Sequence, residues 1–529
     1  MRAGTAALAF ATALTLFGAP APASAQQPPP NSGPAAPAAG PPSVSQSPPP
    51  ATPSAGGFVN QLAAGDEPLT SHAQQPPPDG APPPAAQQPA QPARPAPLDN
   101  TLNAGDDQVP EPASPAAPAQ GQAPAAGATP NSEIEAALGA EDGPFAPKDQ
   151  KLMHWSDYGG KNFTFHFGYN VMYDVVRFKQ DPASVAQWGV LNDTQPATKW
   201  RDIRLLASGT FPKSKRLIEW KAGYMRDVAN DTWLWRETGI VVAVPEIWGW
   251  LFIGRTKLGV SMIKQMSGAS IMGLERAEIE DMTIPIQNDG IRWMGYLPKQ
   301  RLVWNLGYFN ETLLHKPLYP FMDQQYAARV IWLPLLSPTD GKVLHLAANF
   351  KYGNPKNGQT QLKARPEAIT APYFLDTGVF PAEHEQLIGP EVWYRDNSLL
   401  FGGAYYFVRT EASQGNHQFQ GGDIWASWLM TGEVRTYQTR GGVFGFVYPK
   451  SSLFKGGTGA FEATIHATYT NANSGPLQGG RFWRVTPTLA WYPSYEFRFT
   501  LGYGYGVLDR FGISGGRTQF FQARIQFML

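Results

Sequence analysis

Arginine and lysine recur at alternate positions inside segments that are otherwise aromatic and aliphatic. In "WGWLFIGRTKLG", Trp248–Gly259, Arg255 and Lys257 share one parity, and Trp248, Trp250, Phe252 and Leu258 share the other. In "WRDIRLLASGTF", Asp202 and Arg204 alternate with Ile203, Leu205 and Ala207. In "LIEWKAGYM", Glu219 and Lys221 alternate with Trp220, Ala222 and Tyr224. The same rule puts Arg292 and Arg301 on a polar face. Cations contributed by neighbouring strands to one wet wall raise the local anion concentration and lower the barrier for phosphate-like solutes. The same cations could instead pair with Asp202, Glu219 and their like, giving a balanced, weakly selective wall. Catalytic chemistry finds no support. The eight histidines show no HExxH spacing. The glycines of "LGYGYGV" follow strand parity and precede no helix. No cofactor or metal is expected.

Two-faced strands must position these cations. "NFTFHFGYNVMYDVVRF" sets Phe163, Phe165, Phe167, Tyr169, Val171, Tyr173 and Val175 against Thr164, His166, Asn170 and Asp174. "VLHLAANFKYG", "GAFEATIHATYT" and "YEFRFTLGYGYGV" repeat the pattern, with His345, Asn349 and Lys351, then Glu462 and His466, then Glu496 and Arg498 on the polar side. Such alternation is the strand signature. About sixteen or seventeen segments of roughly ten residues follow one another, the length a tilted strand needs to cross a bilayer. After the N-terminal leader, no apolar run is long enough for a spanning helix. A soluble sandwich would bury the apolar face as its core; a membrane barrel turns it to lipid and the polar face to water. Aromatics clustered at segment ends, as in "TWLWRE" and "EIWGWLF", suit an interfacial girdle. Ionised residues on the polar face suit an aqueous lumen, because a barrel of this size leaves a channel. The expected fold class is all-β, a transmembrane antiparallel β-barrel of about sixteen strands. The stretch Val260–Gln287 lacks alternation and is too long for a simple turn. It is expected to fold into the lumen with Lys264, Glu275, Arg276, Glu278 and Glu280 at the constriction; an external cap is the alternative.

Upstream of the barrel the chain changes character. Residues 1–25 carry Arg2, an apolar run and Ala23-Ser24-Ala25, the pattern of a secretory signal peptide. Residues 26–150 are rich in Pro, Ala, Gly and Gln and have too little apolar bulk to offset the entropy of ordering them. They read as a disordered, partly polyproline II periplasmic tether, and 151–529 as the barrel domain. There is no cysteine, so disulfides and thiol chemistry are excluded. Lysine plus arginine and aspartate plus glutamate both number 42, so bulk charge points to no nucleic acid. The chain ends in "TQFFQARIQFML", which reads as the closing strand. Phe521, Ile525, Phe527 and Leu529 face lipid, Gln522, Arg524 and Gln526 face the lumen, and the backbone pairs with the first strand near Phe163.

From about Phe163 onward the sequence resembles the phosphate-selective porins of the O and P type. The carrying pieces run in order: "FIGRTKLG" (Phe252–Gly259, without the family's Pro), "GLERA" (Gly273–Ala277), "ARPEA" with "FLDTG" (Ala364–Ala368, Phe374–Gly378), "WLMTGEVRTYQ" (Trp428–Gln438), "GGTGAFEAT" (Gly456–Thr464) and "TLAWYPS" (Thr488–Ser494). The resemblance implies a sixteen-stranded outer-membrane porin, a homotrimer that passes small anionic solutes along a ladder of lumenal cations. Arg255, Lys257 and Arg276 lie in the matching motifs. Expected partners are outer-membrane lipid, the barrel assembly machinery and, through the tether, peptidoglycan. The expected function is a water-filled channel for passive diffusion that prefers anions. The alternatives are a weakly selective diffusion porin and, in another class, a secreted soluble β-rich enzyme or sugar-binding protein.

Overall fold

The computed structural model describes residues 156–191, 196–227, 232–310, 322–337 and 339–529. The signal peptide and the tether lie outside the described residues. The strands, in chain order, are β1 (Asp157–Gly159), β2 (Thr164–Gln180), β3 (Ala197–Thr210), β4 (Ile218–Asp227), β5 (Thr232–Val244), β6 (Gly249–Thr256), β7 (Asn288–Leu297), β8 (Leu302–Asn310), β9 (Met322–Ser337), β10 (Lys342–Pro355), β11 (Gln359–Ala364), β12 (Leu375–Pro381), β13 (His384–Asp396), β14 (Leu399–Ala412), β15 (Gly415–Leu429), β16 (Tyr437–Gln438), β17 (Val443–Phe444), β18 (Ala460–Ser474), β19 (Leu477–Tyr492), β20 (Phe497–Arg510) and β21 (Ile513–Met528). Short helices are α1 (Pro182–Trp188), α2 (Met262–Gln265) and α3 (Glu278–Thr283).

Sixteen of these strands close an antiparallel barrel. Each pairs with its neighbour in the ring, and β21 returns to β2 with Met528 opposite Asn170 and Thr518 opposite Gln180. Closure leaves no backbone edge to be satisfied by lipid. The seam differs in one detail from the sequence expectation. β21 stops opposite Asn170, where the Leu529 amide donates to the Tyr169 carbonyl at 2.8 Å. The start of β2 next to Phe163 is covered instead by β1, with Asp157 opposite His166. The pair β11–β12 and the pair β16–β17 are separate two-stranded ribbons.

The alternation read from the sequence divides outside from inside. Ile465, Leu501 and Ile525 are more than half exposed, whereas Glu462, His466, Arg498, Gln522 and Arg524 on the opposite parity are buried. Hairpin turns are tight where two residues suffice. Between β20 and β21, Phe511 and Gly512 both take positive φ (57° and 73°), as a two-residue turn matched to the strand twist requires. A Cβ on Gly512 would meet nothing within 4 Å, so the conformation and not the space favours glycine there.

In the first half of β6 the sequence parity is reversed, whereas Arg255 beyond Gly254 is buried as expected. Trp250 and Phe252 in β6 were expected to face lipid but are 2% exposed, while Ile253 is 51% exposed. They pack with Met262, Ile263, Met266, Ile271 and Met272. An apolar loop inside the barrel needs an apolar stretch of wall to lie on, and β6, its own root, supplies it.

Candidate functional site

Among the described residues, three connections enter the lumen. The longest, 257–287 between β6 and β7, carries α2 and α3. Inward side chains of the wall hold its backbone. Asn349 accepts from the Ser261 amide (2.8 Å) and Glu391 from the Met262 amide (2.8 Å). Lys351 donates to the Thr283 carbonyl (2.5 Å), Arg498 to those of Ile271 and Met272 (2.6 and 2.7 Å), and Arg524 to that of Leu274 (2.6 Å). These partners lie on β10, β13, β20 and β21, so the loop crosses from β6 to the far side of the ring. It folds into the lumen and does not cap the mouth. At Gly273 the loop backbone lies close against the wall: a Cβ there would lie 2.8 Å from the Trp425 ring. Trp425 in turn stacks on His466, with centroids 3.4 Å apart.

The second connection, 356–383, carries β11 and β12 and enters from the same end. Glu367 accepts from the Glu275 amide at 3.3 Å, joining the two loops. The third, 430–459, carries β16 and β17 and enters from the opposite end of the barrel. The quoted motifs prove to be the docking residues of these loops. Arg435 of "WLMTGEVRTYQ" pairs with Glu462 of "GAFEAT" at 2.6 Å, and Glu367 of "ARPEA" pairs with Arg484 at 2.5 Å.

The sequence-predicted cations are mostly engaged. Arg204 contacts Asp202 at 2.5 Å and Lys221 contacts Glu237 at 3.3 Å. Arg255 is buried in a bidentate pair with Asp289 (2.7 and 3.0 Å). Lys264 pairs with Asp281 at 2.7 Å. Lys257 donates to the carbonyls of Gln265 and Met266 (2.6 and 2.9 Å), and Arg276 to those of Ile263 and Met266 (both 3.1 Å). Arg292 donates to Asn305 at 2.5 Å. Arg301 is a correction: it sits outside the strands, in the turn between β7 and β8 at φ 52°, and donates to the Pro334 carbonyl at 2.9 Å. A turn residue has no strand parity, so the alternation rule did not apply to it.

Arg201 and Arg236 are lumenal cations that were not among those predicted. Arg201 enters through an irregularity in the β2–β3 ladder, where Met172 opposes Asp202 but Tyr173 opposes Trp200. The extra residue turns Arg201 inward beside Asp202. Its guanidinium meets Glu275, which also takes Arg524 at 2.6 Å. Nothing in the sequence marks that bulge. Arg236 was legible, because Trp233 and Trp235 face out at 40% and 47% exposure. Arg236 is buried, its Nε has no hydrogen-bond partner, and no carboxylate pairs with it among the described residues. Its charged neighbours are Arg204, Asp202, Arg276 and Arg201. Lys257 belongs to the same group. Burial, joined by the charges of Arg276, Arg204 and Arg236 and opposed by Glu237, pushes its ammonium well below the usual lysine range. The carboxylates of this cluster are Asp202, Glu237 and Glu275, with Asp281 and Glu280 beside Arg276. An anion placed beside Arg236 would meet a guanidinium that no carboxylate pairs with among the described residues.

On the far side of the loop lies a carboxylate held in the opposite sense. Glu280 accepts from the Ser261 hydroxyl and from Tyr406 (3.3 Å). Burial and the nearby Asp423 push it up to about 8. A carboxyl raised in the folded state stabilises the fold below the ordinary carboxylate range, and that contribution is lost as pH rises toward 8. Glu280→Gln is therefore expected to unfold together with the parent at pH 4 and at a higher temperature than the parent at pH 8. A pH-independent difference between the two thermal scans would contradict this.

With the geometry described, comparison with known proteins is informative. Residues 190–529 match the family model for phosphate-selective porin O and P. A curated relative, an uncharacterized protein of Caulobacter vibrioides, is 28% identical over 181 residues, 33% of this chain. The match spans 36% of that relative's length. Among solved structures, an anion-selective porin from Comamonas acidovorans is similar with a TM-score of 0.43 and 10% identity, over 69% of this chain and 100% of that one. The outer-membrane channel DcaP of Acinetobacter baumannii has a TM-score of 0.44 and 7% identity, over 71% of this chain and 100% of that one. OmpT of Vibrio cholerae, in a trimer form, has a TM-score of 0.43 and 9% identity, over 70% and 100%. The family match takes in most of the chain and the closed sixteen-stranded barrel agrees with it: the protein belongs to the phosphate-selective porin O and P family and is a channel of the bacterial outer membrane.

Proposed function

We propose that this channel conducts small anions by passive diffusion and that Arg204, Arg236, Lys257 and Arg276 form its anion-holding constriction. The observation that carries the reading is Arg236, a buried guanidinium with no carboxylate paired to it, whose charged neighbours are Arg204, Arg276, Arg201 and the single carboxylate Asp202. A fixed charge that the wall leaves uncompensated is one that a permeant ion can neutralise. In this reading solutes pass along the side of the lumen that the 257–287 loop leaves to β3, β4 and β5. Phosphate-like oxyanions suit a cluster rich in planar guanidinium donors.

Planar-bilayer reversal potentials in a salt gradient test this. Arg236→Ala is expected to move the reversal potential at least halfway toward the non-selective value. Arg255→Ala, which removes a cation already paired with Asp289, is expected to leave it in place and to lower thermal stability. A parent channel that prefers cations, or an Arg236→Ala channel with the parent's reversal potential, would sink the assignment. The second reading, a weakly selective diffusion porin, is favoured by the pairing of Arg204, Lys221 and Arg255 with carboxylates. The same measurement decides between the two readings.

Three expectations accompany this function. Residues 1–25 direct export, 26–150 tether the barrel on the periplasmic side and contact peptidoglycan, and the barrel assembles as a homotrimer. The assembly machinery would insert it. Chemical cross-linking of membranes and sizing of full-length and 151–529 chains would test the trimer and the tether separately.

A further inference from the structure

The third lumenal connection does more than fill space. It leaves β15 and returns to β18 at the end of the barrel where other connections are tight, such as the turn 397–398 between β13 and β14. Its base is firmly built. The buried Arg435 guanidinium pairs with Glu462 (2.6 Å) and donates to the carbonyls of Ser270 (2.7 Å) and Gly445 (3.0 Å). Beyond Arg435 only a ribbon of two residue pairs, β16–β17, continues into the lumen.

That ribbon reaches the opposite wall. The Gly441 carbonyl accepts from Asn305 on β8 and Arg329 on β9, both at 3.2 Å. Tyr437 meets His345 on β10 at 2.7 Å. Farthest across, Arg440 makes a bidentate pair with Glu219 on β4, both bonds 2.8 Å, and lies 4.0 Å over the Trp250 ring. Unlike the buried base, this far pair is wet: the two side chains are 25% and 22% exposed. A partly exposed pair is weak and is screened by salt. The ribbon thus spans the lumen, rooted by the buried Arg435–Glu462 pair, packed on the wall through the buried Tyr437 and Phe444, and closed at its far tip by a solvated pair. Gly432 and Gly456, at φ 85° and 82°, flank its root and take backbone conformations open to glycine at little cost.

We infer that the Tyr437–Gly445 ribbon is a gate, pivoting at Arg435 and latched by Arg440 against Glu219. This rests on the channel reading above. Latched, the ribbon narrows the lumen from one end while the 257–287 loop narrows it from the other. Released, it withdraws toward its root and widens the path. A permeant oxyanion competes with Glu219 for the Arg440 guanidinium, so an anion entering from that end favours the open state.

Single-channel recording of the full chain tests the gate. Glu219→Gln and Arg440→Gln are each expected to raise conductance about twofold or to convert steady openings into transitions between two levels. The exchanged pair, Glu219→Arg with Arg440→Glu, keeps the lumenal charge and restores the parent conductance. Because the chain has no cysteine, Glu219→Cys with Arg440→Cys can be bridged by a short bifunctional thiol reagent. Bridging is expected to return the channel to the parent level, and reduction to release it again. A parent chain that forms no channel removes the reading on which the gate depends. A conducting parent whose single variants match it, or a bridged channel no narrower than the unbridged one, overturns the gate alone.

Discussion

Replacing Arg484 with alanine is expected to cost the barrel about 3–5 kcal/mol and to loosen two lumenal loops together. Arg484 lies on β19 and is fully buried. Its Nε donates to Glu278 of the 257–287 loop at 2.6 Å, and its terminal nitrogens donate to Glu367 of the 356–383 loop at 2.5 Å and to the Arg276 carbonyl at 3.1 Å. One guanidinium thus joins the wall to both loops. Without it, Glu278 and Glu367 are left as buried carboxylates that have lost their shared guanidinium, with His466 near Glu367 alone. The measurement is the temperature at which detergent-solubilised protein shifts from folded to unfolded migration, scanned at one rate because unfolding of such barrels is governed by rates. Adding Glu278→Gln and Glu367→Gln to the Arg484→Ala chain should recover most of the loss. Failure of that triple variant to recover would mean that packing, not unpaired charge, dominates.

Glu391→Ala should have an effect of similar size, about 3–5 kcal/mol, by the converse route. This carboxylate on β13 is buried and touches four groups. Oε1 accepts from Arg329 at 2.5 Å and lies 2.9 Å from His345 Nε2. Oε2 accepts from the Met262 amide at 2.8 Å and from Asn349 at 3.2 Å. Removing it strands the fully buried Arg329 guanidinium and frees the first turn of α2, where the long loop begins its path through the lumen. Glu391→Gln keeps the shape and loses the charge, so it should recover the loop contact but not the pairing of Arg329. Its stability should fall between those of alanine and parent. An alanine variant as stable as the parent would mean that water or anion replaces the carboxylate, and raising the phosphate concentration would then raise the unfolding temperature.

Much of the wall was legible before any coordinate. Period-two alternation placed Asn170, Asp174, His345, Lys351, Glu462, Arg498 and Arg524 on the inside, where they are buried. This works because the pleat sends neighbouring side chains to opposite faces, and lipid on one side and a polar lumen on the other act on each residue separately. The closing strand was legible for the same reason, although its register was not: Met528 opposes Asn170 and not Phe163.

What resisted reading is non-local. Trp250 and Phe252 obey alternation but face inward, because the chemistry of their side of the wall is set by a loop that packs on them. Arg201 faces inward because one residue is added to a ladder, a choice made jointly by β2 and β3. The destinations of Arg255, Lys264 and Arg276 depend on which carboxylate or carbonyl the folded loop delivers. Sequence shows the sign of a charge but not its distance from a partner, and that distance separates a cation that binds solute from one that binds the wall. The barrel, its inside and outside, and its abundance of lumenal cations therefore follow from local pattern. Which of those cations stays uncompensated, Arg236 among them, follows from contacts between residues far apart in the chain, which pattern along a single strand does not encode.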